Sequence, residues 1–435
     1  MEGNNSGYRG SRGRGRGRGS SRGGSRYRGN PTVAHDNPNF EANWDERVDD
    51  FDQMDLKPEL LHDVFSYGFK HPSEIQALAI KPIELGRNVI AQAQSGTGKT
   101  GAFSIGILQN IDLSEQSTQA LVLAPTRELA DQIYTFFAEI GARMVGLNIV
   151  IFKGGVSEQE NQQQAQQLPH IVIATPGRAL SLIQKGFLRC ENLRLICLDE
   201  ADALLDEGFV AQVQEIFSFL NPGIQILLFS ATIPAEIFGL MEQFMTDPVK
   251  ILVKAEKLTL EGIRQFYVNV NNTDFKFPTL LDIYGQLSIQ KAVIFANKKE
   301  TVDYLQKQFE AENFDVSAIH GGLEQSERER IMQQFRVGNA RVLVATDLIG
   351  RGIDVQQITL VINFEAPPTR ELYLHRIGRS GRYGRKGVAI NICDVSEMTQ
   401  MHDIMQFYRT KIDELPSDFA EILKEANDSI DQSND

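Results

Sequence analysis

The sequence predicts an α/β fold with two tandem domains, each a parallel sheet flanked by helices. Short runs rich in β-branched residues alternate with amphipathic stretches, and a length of 435 residues suits two to three domains. The first series of runs is Asn88–Gln92, Ala120–Ala124, Asn148–Phe152, Ile171–Ala174, Leu195–Leu198 and Ile226–Ser230. The second series is Arg264–Val270, Ala292–Phe295, Val316–Ile319, Val342–Ala345, Leu360–Asn363 and Val388–Cys393. The join between the domains is expected near Leu252–Gly262, after the break at Asp247-Pro248.

Charge is distributed unevenly along the chain. The first thirty residues hold eight Arg, one acid (Glu2) and ten of the 36 Gly, and therefore carry +7. Because the whole chain carries −13, the remainder carries −20. A segment this poor in apolar residues does not bury enough surface to offset its chain entropy, so residues 1–40 are expected to be disordered. This arm is either a sequence-tolerant RNA-binding segment, which we favour, or a solubilising linker.

These patterns divide the chain into four segments. They are the Arg-Gly-rich arm (1–40), a first domain (41–253), a second domain (254–424) and an acidic disordered tail (425–435). Three cysteines without a Cys-x-x-Cys pair argue against a disulfide scaffold or a zinc ribbon. No apolar run approaches the about 18 residues of a membrane span, and the N-terminus has no apolar signal segment. We therefore expect a soluble intracellular protein with no membrane partner.

The strongest local signal is the glycine-rich segment Ala93–Thr100, which follows an apolar run and precedes a plausible helix (Ala102–Gln109). Such a strand-to-helix turn points backbone N–H groups at a phosphate. Lys99 would reach the β- and γ-phosphates of a nucleotide, and Thr100 would bind Mg²⁺. The alternative is a Gly-Ser turn with an incidental lysine. The predicted phosphate-binding residues are Ser95, Gly96, Thr97, Gly98, Lys99 and Thr100.

A second signal is the apolar run Leu195–Leu198, which ends in Asp199 and Glu200. The carboxyl edge of a parallel sheet is where ligands of α/β proteins bind. Asp199 can hold Mg²⁺ through water, and Glu200 can orient or deprotonate an attacking water. Alone, an acidic turn after a strand would more often be a helix N-cap. Together with the phosphate-binding turn, it predicts an NTPase.

A third signal is the basic segment His375–Arg382 in the second domain. Arg379 and Arg382 are three residues apart, so they share a face if the segment is a helical turn. Two guanidinium groups suit a γ-phosphate whose charge rises in the transition state. Alone the segment would be a basic surface helix, but in an NTPase it predicts arginine fingers.

With these motifs the chain resembles the DEAD-box RNA helicases, because residues 199–202 read Asp-Glu-Ala-Asp. The resemblance covers roughly Phe51–Leu423 and implies two RecA-like domains that bind ATP and RNA across a cleft. Residues 69–76 resemble the family's Q motif, with Phe51 as its upstream aromatic, and Phe51 is expected among the nucleotide-binding residues. This implies that Phe69 stacks on adenine and Gln76 hydrogen-bonds the adenine edge. It also implies that Asp354 lies near the ribose.

Other motifs of the family lie along both domains. Ser230-Ala231-Thr232 resembles the segment that links hydrolysis to unwinding through bonds to Asp202, and His375 joins this coupling group. In the first domain the resemblance implies RNA contacts at Pro125, Thr126, Arg127, Gly155, Thr175 and Arg178. In the second domain it implies RNA contacts at Asn297, Gly321, Arg328 and Thr346. Lys298 is either a further RNA contact or a solvated surface charge.

Within the family, the chain is most similar to the translation initiation factor 4A subfamily. The similarity rests on Ala91–Gln94, Leu258–Ile263 and Arg379–Gly387. Gly322, Gly350 and Glu207 depart from the common pattern, as does the Arg-Gly arm, whereas the residues expected to bind ATP are intact. These departures bear on the subfamily and its partners rather than on the chemistry.

The resemblance implies an ATP-dependent RNA helicase, with Mg²⁺, that separates short duplexes without sequence preference, in translation initiation or mRNA metabolism. One alternative is an ATP-gated RNA clamp that anchors a ribonucleoprotein assembly, and another is a DNA translocase on the same core. The expected partners are single-stranded or short duplex RNA and protein regulators of domain closure. We expect a monomeric core and a cytoplasmic location with a possible nuclear pool.

Overall fold

The computed structural model describes residues 41–94, 96–205, 208–241, 243–252, 263–285, 291–347, 358–380, 387–408, 410–417 and 419–422. The predicted arm and tail, residues 253–262 of the expected join, and the predicted site residues Ser95, Asp354 and Arg382 lie outside these ranges. Within them the chain forms two seven-stranded sheets in which every strand pairing is parallel. The predicted fold class is confirmed.

The first sheet has the strand order β3-β4-β2-β5-β6-β1-β7. Its strands are β1 (Val89–Gln92), β2 (Ala120–Leu123), β3 (Ile149–Phe152), β4 (Ile171–Ala174), β5 (Leu195–Asp199), β6 (Gln225–Ser230) and β7 (Val249–Leu252). The inner strands are buried on both faces, so they appear in the sequence as continuous apolar runs. Ile90 packs into the core on one side of the sheet, while Val89 and Ala91 pack into the core on the other.

The second sheet has the strand order β10-β11-β9-β12-β13-β8-β14. Its strands are β8 (Ile263–Asn269), β9 (Ala292–Phe295), β10 (Ser317–Ile319), β11 (Val342–Ala345), β12 (Leu360–Asn363), β13 (Gly387–Cys393) and β14 (Asp413–Glu414). Each strand occupies the position that the strand seven places earlier occupies in the first sheet. The described part of the chain therefore uses one topology twice.

Helices connect the strands and cover both faces of each sheet. The first domain has α1 (Pro58–Tyr67), α2 (Glu74–Glu84), α3 (Lys99–Asn110), α4 (Arg127–Ile140), α5 (Glu158–Ala165), α6 (Pro176–Gln184), α7 (Ala201–Leu204), α8 (Val210–Ser218) and α9 (Ala235–Met241). The second has α10 (Lys276–Gly285), α11 (Lys299–Ala311), α12 (Gln325–Arg336), α13 (Arg370–Ile377) and α14 (Val395–Tyr408). In the described ranges, no helix combines the length and the apolar character that a bilayer span requires.

The twelve predicted strands all occur, with bounds within one residue of the predicted ones. Two edge strands, β7 and β14, were not predicted. β7 carries the half-exposed Lys250, and β14 consists of two exposed acids, so neither has the continuous apolar run that marked the inner strands. Helix α3 begins at Lys99, three residues before the predicted start.

Candidate functional site

A cleft of about 360 Å³ lies at the carboxyl edge of the first sheet and is closed on one side by the second domain. The phosphate-binding turn, the end of β5, helix α4 and an aromatic group line it from the first domain. Arg336 and Arg379 line it from the second domain. A space of this size between two domains is suited to a nucleotide-sized ligand.

The phosphate-binding turn joins β1 to α3. Gly98 has φ +101°, a left-handed conformation that a side chain rarely adopts, and a Cβ there would lie 2.8 Å from Gln76 Nε2. Helix α3 begins at the next residue, so its first N–H groups face the cleft. The Lys99 ammonium is buried and donates to the Ala93 carbonyl at 2.8 Å. Burial lowers the Lys99 pKa, although Asp199 and Glu200 oppose this effect.

Gln76 locks this turn to the start of α2. Its Oε1 accepts from Ser73 N at 2.9 Å, and its Nε2 donates to the Gly98 carbonyl at 3.3 Å. Phe69 is half-buried and its ring lines the cleft, as expected of a residue that stacks on a base. Phe51 is 0% exposed and packs against Phe69 with ring centroids 6.0 Å apart. The expectation that Phe51 itself binds the nucleotide is therefore not supported, because it supports Phe69 from the core.

The two acids at the end of β5 face the same cleft. Glu200 has φ +49°, a strained conformation that recurs at functional sites. Its Oε2 is buried and has no hydrogen-bond partner among the residues the structure describes. Burial, followed by the charges of Glu200 and Asp202, raises the Asp199 pKa to about 7, against the opposing effect of Lys99. Two adjacent buried carboxylates that face a cleft suit a cation.

The described residues contain no cluster of three or more His, Cys, Asp or Glu side chains that could hold a metal by themselves. A cation at Asp199 and Thr100 would therefore complete its shell with water and phosphate oxygens. Mg²⁺ commonly binds in this way, through one or two protein groups plus substrate phosphates. The residues present fit that ion.

Asp202 links the catalytic edge of the first domain to the second domain. Its Oδ2 accepts from Thr232 Oγ1 at 2.7 Å and lies 2.6 Å from His375 Nε2. Ser230 Oγ accepts from the Asp202 and Thr232 N–H groups, both at 3.4 Å. The expected bonds between the Ser-Ala-Thr segment and Asp202 are thus present. That they link hydrolysis to unwinding stays a prediction.

Arg379 is the other cross-domain contact at this edge. Helix α13 ends at Ile377, so Arg379 lies in the turn that follows it, and the predicted shared face with Arg382 lies outside the described residues. Its side chain is 2% exposed, and its Nε donates to the His375 carbonyl at 3.0 Å. Its Nη2 lies 3.8 Å from Glu200 Oε1, which places a positive charge beside the acid of the other domain.

Three predicted RNA-binding arginines lie near one another and outside the lining of this cleft. Arg127 Nη1 donates across the domains to Gln325 Oε1 at 2.8 Å, and Arg178 donates to the Val156 carbonyl at 2.9 Å. Arg328 pairs with Glu128 at 3.6 Å. Burial, then the nearby Arg328 charge, lowers the Arg127 pKa, with Arg178 adding to the effect. Clustered guanidinium groups of this kind suit phosphate oxygens.

Family comparisons agree with this geometry. Residues 73–238 match the DEAD/DEAH box helicase family, and residues 276–384 match the helicase conserved C-terminal domain. The ATP-dependent RNA helicase eIF4A of Neurospora crassa is 49% identical over 384 residues, 88% of this chain and 96% of that protein. The chain belongs to the DEAD-box ATP-dependent RNA helicases. It is therefore an enzyme that uses ATP to act on RNA.

Two solved structures of S. cerevisiae Dbp5 have this fold. S. cerevisiae Dbp5 bound to RNA and ADP-BeF3 aligns with a TM-score of 0.82 at 32% identity, over 88% of this chain and all of that one. A Dbp5 variant bound to Nup159, a variant of Gle1, IP6 and ADP aligns with a TM-score of 0.60 at 31% identity, over 86% of this chain and all of that one. The helicase described here is thus more similar to the first of the two.

Other predicted RNA-contact residues of the helicase have varied positions. Pro125 is buried, Thr126 caps α4 by accepting from Leu129 N at 3.2 Å, and Thr175 precedes α6 without a capping bond. Gly155 has φ +90°, Gly321 is exposed and Thr346 is half-buried. Asn297 is exposed, and its side chain donates to the Ala366 carbonyl at 2.9 Å and accepts from Arg376 at 2.6 Å. Its amide therefore helps to hold the second domain together, and its RNA contact stays a prediction.

Several residues that the sequence did not single out shape the site. Arg376 is almost fully buried and bonds Asp347 and Asn297, which fixes α13 to the second sheet. Tyr67 and Phe136 extend the aromatic wall beside Phe69, with centroids 5.2 Å and 6.1 Å from it. Arg376 lies within the basic segment that was recognised, but its partners depend on tertiary packing. The two aromatics lie outside the motifs that were recognised in the sequence.

Proposed function

We propose that ATP and RNA bind on the two sides of this cleft and close it together, and that closure separates a short duplex locally. Hydrolysis of ATP to ADP and phosphate then weakens the contacts and reopens the cleft. The observation that carries the proposal is the pair of buried cross-domain contacts, Glu200–Arg379 and Asp202–His375. They join the acids beside the phosphate-binding turn to a helix end that belongs to the other domain.

Each group at the catalytic edge has a role that follows from its position. Lys99 and the first N–H groups of α3 bind the phosphates. The Lys99 ammonium then exchanges its present bond to the Ala93 carbonyl for a bond to a phosphate oxygen. Glu200 orients the attacking water and accepts its proton, since its buried Oε2 has no other partner in the described structure. Arg379 stabilises the charge that develops on the transferred phosphoryl group.

Mg²⁺ would be held by Thr100 and, through water, by Asp199. When bound, it neutralises phosphate charge during phosphoryl transfer. Burial is the largest cause of the raised Asp199 pKa, and a bound cation would favour the charged carboxylate at that position. The closed arrangement has separate support, because the chain aligns better with the RNA-bound and ADP-BeF3-bound Dbp5 than with the regulator-bound form.

At the other side of the cleft, Arg127, Arg178 and Arg328 bind RNA phosphates. Such contacts position the strand without reading bases, so binding is largely independent of sequence. The net charge of −20 outside the first thirty residues does not oppose this, because the contact is confined to a locally basic part of the cleft. The Arg-Gly arm supplies a second, always available RNA contact.

Relatives named eIF4A support a role in translation initiation or a related step of mRNA metabolism. We propose a cytoplasmic monomer with a possible nuclear pool, whose closure is set by protein regulators. The precedent for such regulators is that a Dbp5 structure contains Gle1 and Nup159.

The test is strand displacement by the purified full chain on a short RNA duplex, measured beside its ATPase activity. We expect RNA to stimulate ATP hydrolysis, DNA not to, and the duplex to separate only with ATP. Stable ATP-dependent retention of RNA without displacement would instead favour an ATP-gated clamp. Equal stimulation by DNA would favour a DNA translocase and contradict the proposal.

A further inference from the structure

Lys153 lies at the interface between the domains and carries a charge that the chemistry above does not use. It follows β3 directly, and its side chain is 14% exposed. Its ammonium donates to both carboxylate oxygens of Asp131 on α4, each at 2.7 Å. On the other side it lies 3.7 Å from Glu329 Oε1, which belongs to α12 of the second domain. One lysine thus bridges an acid from each domain.

This bridge continues into the predicted RNA-binding group. Glu329 Oε1 also accepts from Gln325 Nε2 at 2.9 Å, and Gln325 Oε1 accepts from Arg127 at 2.8 Å. A chain of polar contacts therefore runs from Asp131, at the edge of the nucleotide cleft, to Arg127 on the RNA side. The chain crosses between the domains at two places, from Lys153 to Glu329 and from Gln325 to Arg127.

The charges explain what Lys153 contributes. Asp131, Glu128 and Glu329 are all acidic and lie near one another where the domains meet. Burial raises the Asp131 pKa most, and Glu329 and Glu128 raise it further, while Lys153 opposes them. Without the lysine, closure would bring Asp131 and Glu329 together without the positive charge that lies between them, and like charges at short distance repel.

We propose that Lys153 is a positioning residue for the RNA-stimulated reaction. Its charge reduces the repulsion between the acids of the two domains when the domains close. Through Glu329 and Gln325 it also holds Arg127 in the orientation that contacts RNA. It touches neither the nucleotide nor the reacting atoms. The inference rests on the proposed cycle, in which closure accompanies RNA binding.

The test compares Lys153→Met, which keeps the length and removes the charge, with Lys153→Arg in the full chain. The RNA concentration that half-saturates the ATPase should rise about fivefold in Lys153→Met, the size expected for a partly exposed ion pair. The turnover rate at saturating RNA and the rate without RNA should stay within about twofold of the original. Lys153→Arg should restore most of the affinity.

A matched control is Lys185→Met, which removes a lysine–glutamate pair with Glu158 inside the first domain. It should leave the half-saturating RNA concentration unchanged. Replacing Glu329 by Gln in the Lys153→Met protein should recover part of the loss, because one of the opposed carboxylates is removed. A melting temperature without ligands reports on folding for all four variants.

If RNA stimulates the original protein but the half-saturating RNA concentration is unchanged in Lys153→Met, the role of Lys153 is overturned and the proposed function stands. A further loss on adding Glu329→Gln would overturn its electrostatic basis. If the original protein shows no stimulation by RNA, the proposed function fails and the role of Lys153 fails with it.

Discussion

The two domains share one strand order, but the buried lysines at corresponding helix starts have different surroundings. Lys99 begins α3 after β1, and Lys276 begins α10 after β8, the strand in the same position of the second sheet. Lys99 faces the cleft beside Asp199 and Glu200. Lys276 donates to the Phe364 carbonyl at 2.9 Å and pairs with Glu397, so its charge is satisfied within its own domain.

The strands beside these turns differ in the same way. β5 ends in Asp199 and continues into Glu200, whose Oε2 lies buried without a partner in the described structure. Its counterpart β12 ends in Asn363, whose amide donates to Asn391 at 2.7 Å. The first domain thus leaves charged groups available for a ligand. The second domain pairs its buried lysine internally and contributes His375 and Arg379, which follow β12 in the chain. One topology serves both purposes because function lies in the segments that follow the strands.

The largest expected effect comes from the acid at the end of β5. Glu200→Gln keeps the shape of the side chain but removes the proton acceptor, so RNA-stimulated ATP hydrolysis should fall about 10³-fold. Binding of ATP and RNA should persist, because neither depends on that proton transfer. Unaltered turnover in a steady-state phosphate-release assay would contradict the assignment of Glu200.

The two lysines provide the direct test of the comparison. Lys99→Met should lower ATP hydrolysis by about 10²-fold or more, since a preorganised charge on the phosphates is lost, and leave the melting temperature near the original. Lys276→Met should lower the melting temperature and leave ATP hydrolysis by the folded protein largely intact. It leaves the Glu397 carboxylate without its partner and should lower the free energy of unfolding by about 3 kcal/mol, while the folded protein still hydrolyses ATP.

Both variants are measured by calorimetry and by ATPase assays at a temperature where each is folded. The comparison of the domains would fail if Lys276→Met were as inactive as Lys99→Met under those conditions. It would also fail if Lys99→Met were the more strongly destabilised of the two.

A smaller effect should distinguish the two edges of the first sheet. Arg178 lies on α6 near the carboxyl edge, whereas Arg194 precedes β5 at the amino edge and pairs with Glu115. Arg178→Ala should weaken RNA binding about tenfold, as expected when one charged hydrogen bond to phosphate is lost. Arg194→Ala should have no measurable effect in the same fluorescence-anisotropy titration. Equal losses for both variants would contradict a localised RNA site.

The smallest effect at physiological salt is expected from the Arg-Gly arm. Deleting residues 1–40 should weaken RNA binding modestly and make it less sensitive to salt. The slope of log affinity against log salt should fall by about 0.7 for each phosphate contact the arm made. The measurement is a titration at several salt concentrations, and an unchanged slope would favour a linker.

The sequence predicted the inner strands well because burial on both faces requires continuous apolar residues. Ile171–Ala174, Ala292–Phe295 and Val342–Ala345 were predicted with the bounds that the structure shows. Edge strands carry no such requirement, so β14, which consists of two acids, had no recognisable pattern. Strand order was also beyond the sequence, since it depends on which runs meet after folding.

Site residues were predictable where local spacing dictates chemistry, as in the turn that ends in Lys99. Roles that depend on distant partners were harder to predict from spacing. Phe51 was expected at the nucleotide but lies beneath Phe69. Lys153 gave no signal, because its meaning comes from Glu329 in the other domain.

The central claim is that ATP and RNA together bring the second domain into contact with the charged groups that the first domain leaves available for a ligand. Dyes at Val145→Cys and Val337→Cys, both highly exposed positions, report the distance between the domains. The native thiols should resist labelling, because burial raises the pKa of Cys190 to about 11 and that of Cys393 to about 12 and also raises that of Cys197. We predict high energy transfer only when a non-hydrolysable ATP analogue and RNA are both present. The same transfer efficiency with and without these ligands would contradict the account.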